Sequence, residues 1–195
     1  NTMGHLAEAA SQQRLALKLL AQLELTDGVK RQQGARHTDL ADVLCAQGHL
    51  AAQLPLAAMY RDGHGVEQDY ERAVALFTDA AKHGYPSAQF SLGVMYRLGE
   101  GVERNYAEAM KWYRLAAMQG DAESQNSLGV MNESGRGTTR NKMRAYMWYE
   151  IAAQNGSRRG KNNVRRFSQK LSAIELPKAK KLSQKCLGSN YRNCE

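Results

Sequence analysis

The chain has 195 residues, 43% hydrophobic and 24% charged, with 17 Gly and 3 Pro, which is one domain or one continuous array, long enough to bury a core. No run approaches the roughly 18–20 apolar residues that span a bilayer, and apolar residues are too evenly spread for a disordered or collagen-like chain. The net charge of +8 is concentrated: residues 156–195 hold eleven Lys/Arg against only Glu175 and Glu195, so a near-neutral body carries a basic end.

The chain opens Asn1-Thr2-Met3-Gly4-His5, without a charged segment followed by an apolar one. It therefore reads either as a mature chain whose signal segment has been removed or as one carrying an added scar. Residues 12–47 read as a degenerate repeat, in which Cys45 takes the place of Ala81, and the Gly48 just after it matches Gly84.

From residue 48 a 36-residue period is plain. Tyr60-Arg61-Asp62-Gly63-His64-Gly65-Val66 recurs as Tyr96-Arg97-Leu98-Gly99-Glu100-Gly101-Val102, then as Asn132-Glu133-Ser134-Gly135-Arg136-Gly137-Thr138. The same register aligns Ala73/Ala109/Ala145, Phe77/Tyr113/Tyr149, Ala80/Ala116/Ala152, Ala81/Ala117/Ala153 and Gly84/Gly120/Gly156. Each unit predicts two helices. The first, near 50–62, has Ala52, Leu56 and Tyr60 on one stripe and Gly63 as a left-handed C-cap. The second begins at an N-cap (Asp69, Asn105 or Asn141), with Glu108 placed for a capping box with Asn105, and ends at Gly84, Gly120 or Gly156. A pair of this kind cannot bury its stripe alone, so neighbours stack into an all-α solenoid. The divisions expected are 1–47 (N-terminal helices), 48–155 (three repeats) and 156–195 (a basic helical cap).

The run Ala88-x3-Leu92-Gly93-x2-Tyr96-x2-Gly99-x-Gly101-Val102-x2-Asn105-Tyr106-x2-Ala109-x2-Trp112-Tyr113-x2-Ala116-Ala117-x2-Gly120 resembles the Sel1-like repeat, a relative of the tetratricopeptide repeat. The resemblance covers 48–156 and implies a right-handed superhelix. It also implies non-catalytic adaptor work on a protein partner. Among small periplasmic members one implied role is immunity against a type VI secretion lipase effector; others are envelope scaffolding and host-factor binding. The tail Leu171…Ala179-x2-Leu182-x3-Cys186…Tyr191-x2-Cys194 resembles the close of bacterial secreted Sel1-like proteins.

The residues offer no catalytic, cofactor or metal site. HExxH, GxSxG, a Gly-Lys-Ser/Thr phosphate loop and CxxC are all missing. Gly63-His64-Gly65 invites a nucleotide reading, but the same loop recurs in every repeat with no Lys-Ser/Thr after it, which favours turn geometry. Calcium is no better placed, since Leu98 and Ser134 stand where Asp62 would be needed. His37, Cys45 and His49 could be imagined as metal ligands; a small packed thiol with two surface imidazoles is the preferred reading. Trp112, Trp148, Tyr113 and Tyr149 recur in register and read as core rather than as a ligand cage. β-Lactam binding or hydrolysis, credited to disulfide-rich relatives, would need a Cys pair in each repeat, and neither that nor Ser-x-x-Lys is present.

Cys186 and Cys194 flank Gly188-Ser189-Asn190, which can turn the chain back, so they read as a disulfide or as two free thiols. A disulfide would place the protein in an oxidising compartment, periplasmic or extracellular. The basic end has three readings: a solvated capping face, a surface for an acidic protein partner, or one for nucleic acid or anionic lipid. Scarce aromatics make base stacking a poor fit, and no nucleic-acid partner is expected. In the tetratricopeptide relatives the first helices line the concave surface. The matching positions here are Leu54/Phe90/Asn126/Asn162, Ala58/Val94/Val130/Arg166, Arg61/Arg97/Glu133 and Asp62/Leu98/Ser134. Phe90 between Arg61 and Arg97 has the composition of a binding hot spot. A monomer meeting an acidic or toxin-like protein is expected.

Overall fold

The computed structural model describes residues 50–191 and Cys194; the degenerate repeat and the residues His37, Cys45 and His49 lie outside them. Every regular element described is a helix: α1 (Leu50–Asp62), α2 (Tyr70–Lys82), α3 (Pro86–Leu98), α4 (Tyr106–Met118), α5 (Ala122–Ser134), α6 (Lys142–Gln154), α7 (Arg158–Ser168) and α8 (Glu175–Gly188). The chain divides into two compact units, Asn1–Ala80 and Ala81–Glu195.

In the first unit, Leu56, Ala57 and Tyr60 of α1 and Ala73, Phe77 and Ala80 of α2 are buried. Gly63 ends α1 in the left-handed region (φ 69°) that glycine enters without a Cβ penalty. Asp69 starts α2, its carboxylate accepting from the Arg72 N–H at 3.0 Å. The Asp69 N–H donates to the Tyr60 carbonyl at 2.8 Å.

The second unit repeats this closure. Asn105 N–H donates to Tyr96 O and Asn141 N–H to Asn132 O, both at 2.9 Å. The Gly-x-Gly loops are therefore turns, closed on the preceding helix by their own backbone. Asn105 Oδ1 accepts from the N–H groups of Ala107 and Glu108, and Asn141 Oδ1 from that of Arg144. The capping box expected at Asn105–Glu108 does not form. The Asn105 N–H is already spent on Tyr96, and the Glu108 carboxylate pairs with Lys111. A reciprocal box stands instead at the head of α8. Glu175 N–H donates to Ser172 Oγ (3.2 Å) and Ser172 N–H to Glu175 Oε2 (2.9 Å).

α3 pairs with α4 and α5 with α6, while α4 packs on α5 and α6 receives both α7 and α8. Their core holds Tyr113, Leu128, Met131, Tyr149 and Ile151, each at most 2% exposed. Two helix positions are glycine because an aromatic ring lies on them. A Cβ at Gly93 would stand 2.7 Å from the Tyr113 ring, and one at Gly129 2.5 Å from the Tyr149 ring.

A buried amide ladder joins successive repeats. Gln89 Nε2 donates to Ala81 O and Gln125 Nε2 to Ala117 O, at 3.1 and 2.9 Å. Each of these glutamines accepts in turn, at 2.8 Å, from Gln119 Nε2 or Asn155 Nδ2. Buried amides need such partners, since an orphan costs about 1–3 kcal/mol. The recurrence of Gln89 and Gln125, 36 residues apart, is the sequence signal for this ladder.

The basic end is helical. α7 takes the place of a fourth first helix, opened by Ser157, whose hydroxyl accepts from Gly160 N–H at 3.0 Å. α8 lies on α6 through Ala179, Ser183 and Cys186, all fully buried, with Ser183 hydrogen-bonded to Glu150. Cys186 and Cys194 are disulfide-bonded. The tail between them is tied down a second time, where Asn155 Nδ2 donates to the Tyr191 hydroxyl at 2.9 Å. Closing so short a loop removes little unfolded-state entropy. Cys194→Ser is therefore expected to cost about 2–3 kcal/mol, toward the low end for disulfides, read as a lower melting temperature that reductant reproduces in the wild type and leaves unchanged in the variant.

Candidate partner-binding face

The first-helix positions singled out from the sequence do not share one fate. In the first unit Leu54 is half-buried, and Arg61 forms a two-bond pair with Asp62, at 2.7 and 2.9 Å. That guanidinium lies 5.9 Å from the Phe77 ring centroid and holds the Asp62 carboxyl below its ordinary range.

In the second unit Phe90 is half-buried, its ring 5.9 Å from that of Tyr113, and Val94 packs against the same core. Arg97 Nε donates to the Tyr113 hydroxyl at 3.3 Å; burial pushes that phenol upward. Leu98 and Val130 stay open, 45% and 44% exposed. Phe90, Val94, Arg97 and Leu98 stand on α3 and Val130 on α5.

Toward α7 the face closes. Asn126 is buried and accepts from Asn163 Nδ2 at 2.8 Å. Glu133 receives four donors: the Tyr149 hydroxyl (2.7 Å), Arg166 Nη1 and Nη2 (2.9 and 2.6 Å) and Lys170 Nζ (3.2 Å). The Arg166 bonds above all lower its carboxyl to about 2. Burial, with the facing Glu133 carboxylate, drives the Tyr149 phenol strongly upward. Asn126, Glu133 and Arg166 thus hold α7 in place, while Asn162 stays exposed. Sequence register alone did not distinguish these engaged positions from the open ones. Of the aromatics assigned to the core, Tyr113, Tyr149 and Trp148 are buried and Trp112 is half-buried. Asp69 and Asp62 are engaged in capping and in the Arg61 pair.

Helical pairs with a recurring skeleton of turns and caps, and a face that changes from repeat to repeat, define a helical-repeat scaffold. The Sel1 repeat model matches residues 50–85, 86–121 and 122–157, and the chain belongs to the Sel1 repeat family. A protective antigen of uropathogenic Escherichia coli strains, displaying an SLR fold, is 34% identical with a TM-score of 0.63; the match covers 80% of this chain and 32% of that one. A Sel1 repeat protein from Oxalobacter formigenes is 36% identical with a TM-score of 0.61, over 74% of this chain and 58% of its own. The chain thus spans less than two thirds of either relative. No curated protein matches it. Sel1 repeats in general mediate protein–protein interaction, and no catalytic family is indicated. No described helix is long and apolar enough to cross a membrane, and the disulfide is compatible with a periplasmic or extracellular setting.

Proposed function

We propose that the strip formed by Phe90, Val94, Leu98 and Val130, with Arg97 at its side, grips a segment of a partner protein. The observation that carries this reading is the exposure of Leu98 and Val130 at first-helix positions that also hold the half-buried Phe90 and Val94. Apolar side chains left nearly half in water gain the most from a docked partner. Leu54, Arg61 and Asp62 are the matching positions of the first unit.

The partner we favour is a secreted toxin, with this chain as its periplasmic immunity protein against a type VI lipase effector. The disulfide and the interaction role of the family support that setting; the role itself is a fold-level analogy. A host-facing or envelope-scaffold role is the second reading, favoured by the description of the E. coli relative as a protective antigen.

Photo-crosslinkers at Leu98, Val130 and, on the second-helix face, Met118 separate the outcomes. Adducts with a purified effector from 98 and 130 but not from 118 support the strip, and adducts from 118 alone overturn it. A lipase that keeps full activity beside an equimolar amount of the protein ends the immunity reading.

A further inference from the structure

The Ser172–Glu175 box, followed by a Leu176 N–H to Ser172 O bond of 3.1 Å, starts the turn of α8 before Ile174. Ile174 already has helical backbone angles (φ −86°, ψ −37°). It therefore shares a stripe with Lys178, Lys181 and Lys185, at spacings of four, three and four residues. Ala179, Ser183 and Cys186, the buried side of α8, point the other way. The stripe runs about 16 Å along the helix. All four side chains are exposed, and Ile174, at 70%, is the most open large apolar residue described. Among the described residues, none of the three lysines has an ion-pair partner. The single acid of α8, Glu175, is turned back onto Ser172.

We propose that this stripe docks the protein on an anionic lipid surface, with the lysines at headgroup phosphates and Ile174 in the apolar boundary beneath them. Three features select that occupant. Lysines are point charges without the fork that reads one fixed carboxylate geometry, so they suit a fluid layer of phosphates. The stripe has no aromatic or arginine anchor of the kind that centres a protein interface. A bilayer offers Ile174 an apolar layer to enter, whereas the phosphate backbone of a nucleic acid does not. This docking is independent of the partner-binding strip on α3 and α5.

The test is co-sedimentation of the full chain with phosphatidylcholine vesicles, with and without about 30% phosphatidylglycerol, at rising salt. The expected result is binding to the anionic vesicles at least ~10-fold tighter than to neutral ones and steeply weakened by salt. Lys178→Glu/Lys181→Glu/Lys185→Glu should abolish it, and the corresponding triple Arg variant should keep it. Ile174→Asp should weaken it several-fold. Circular dichroism checks that each variant is folded; if the Glu variant is not, the Arg variant, Ile174→Asp and the salt series still decide. Equal binding to neutral vesicles, or none at low salt, overturns the proposal. So does a folded Glu variant that still binds. Binding to a DNA duplex as tight as to vesicles, and indifferent to Ile174→Asp, assigns the stripe to nucleic acid instead and overturns it too.

Discussion

Gly129→Ala is expected to lower the unfolding free energy by about 2 kcal/mol, although helix propensity alone would give a gain of about 1. The new methyl carbon would stand 2.5 Å from two carbons of the Tyr149 ring. That ring cannot step aside. It is fully buried, lies edge-on to Phe167 at 5.8 Å, and is tethered by its hydroxyl to Glu133. The first unit shows the tolerated combination at the same register, where Ala57 accompanies Phe77, a ring with no hydroxyl to hold it. Adding Tyr149→Phe to Gly129→Ala should therefore recover part of the loss. Urea unfolding of both single variants and the double variant measures this. Additive costs would show that the tether is irrelevant.

Glu133→Gln is expected to cost about 2 kcal/mol at neutral pH, because it leaves Arg166 and Lys170 without their anion and weakens the Tyr149 bond. Half-exposure of Arg166 keeps the figure well below that of a fully buried pair. The pH dependence has a definite sign. The folded carboxyl titrates at about 2, below its ordinary 4.5. Its contribution is thus complete above pH 4.5 and disappears as the pH falls toward 2. Between those limits the wild type should lose stability that Glu133→Gln does not lose, so the two unfolding curves should converge. Curves that stay parallel from pH 7 to pH 2.5 would show that the Glu133 cluster does not titrate this way.

The skeleton was legible because its signals are local and recur. The N-caps Asp69, Asn105 and Asn141, the paired alanines and the Gly-x-Gly turns each act within a few residues of where they stand. The capping box was misplaced because two acceptors compete for one N–H. The Asn105 N–H goes to Tyr96 O, a contact set by loop closure rather than by the motif. The candidate face was half legible. Periodicity found the first-helix positions, but whether one is open depends on a side chain a whole repeat later. Asn163 covers Asn126 and Arg166 engages Glu133. The basic end was visible as charge, while its ordering into one stripe needed the start of α8, set by Ser172 and Glu175.

The reversed charge at Glu133, where the two preceding repeats carry Arg61 and Arg97, gives the third repeat an address. Only this copy presents an anion to the Arg166 and Lys170 that follow it. A copy of the second repeat grafted into the third place would bring Arg97 against those two cations. The array is consequently a sentence whose last word is fixed: any exchange that puts another unit next to the ending would sever the one that alone fits it.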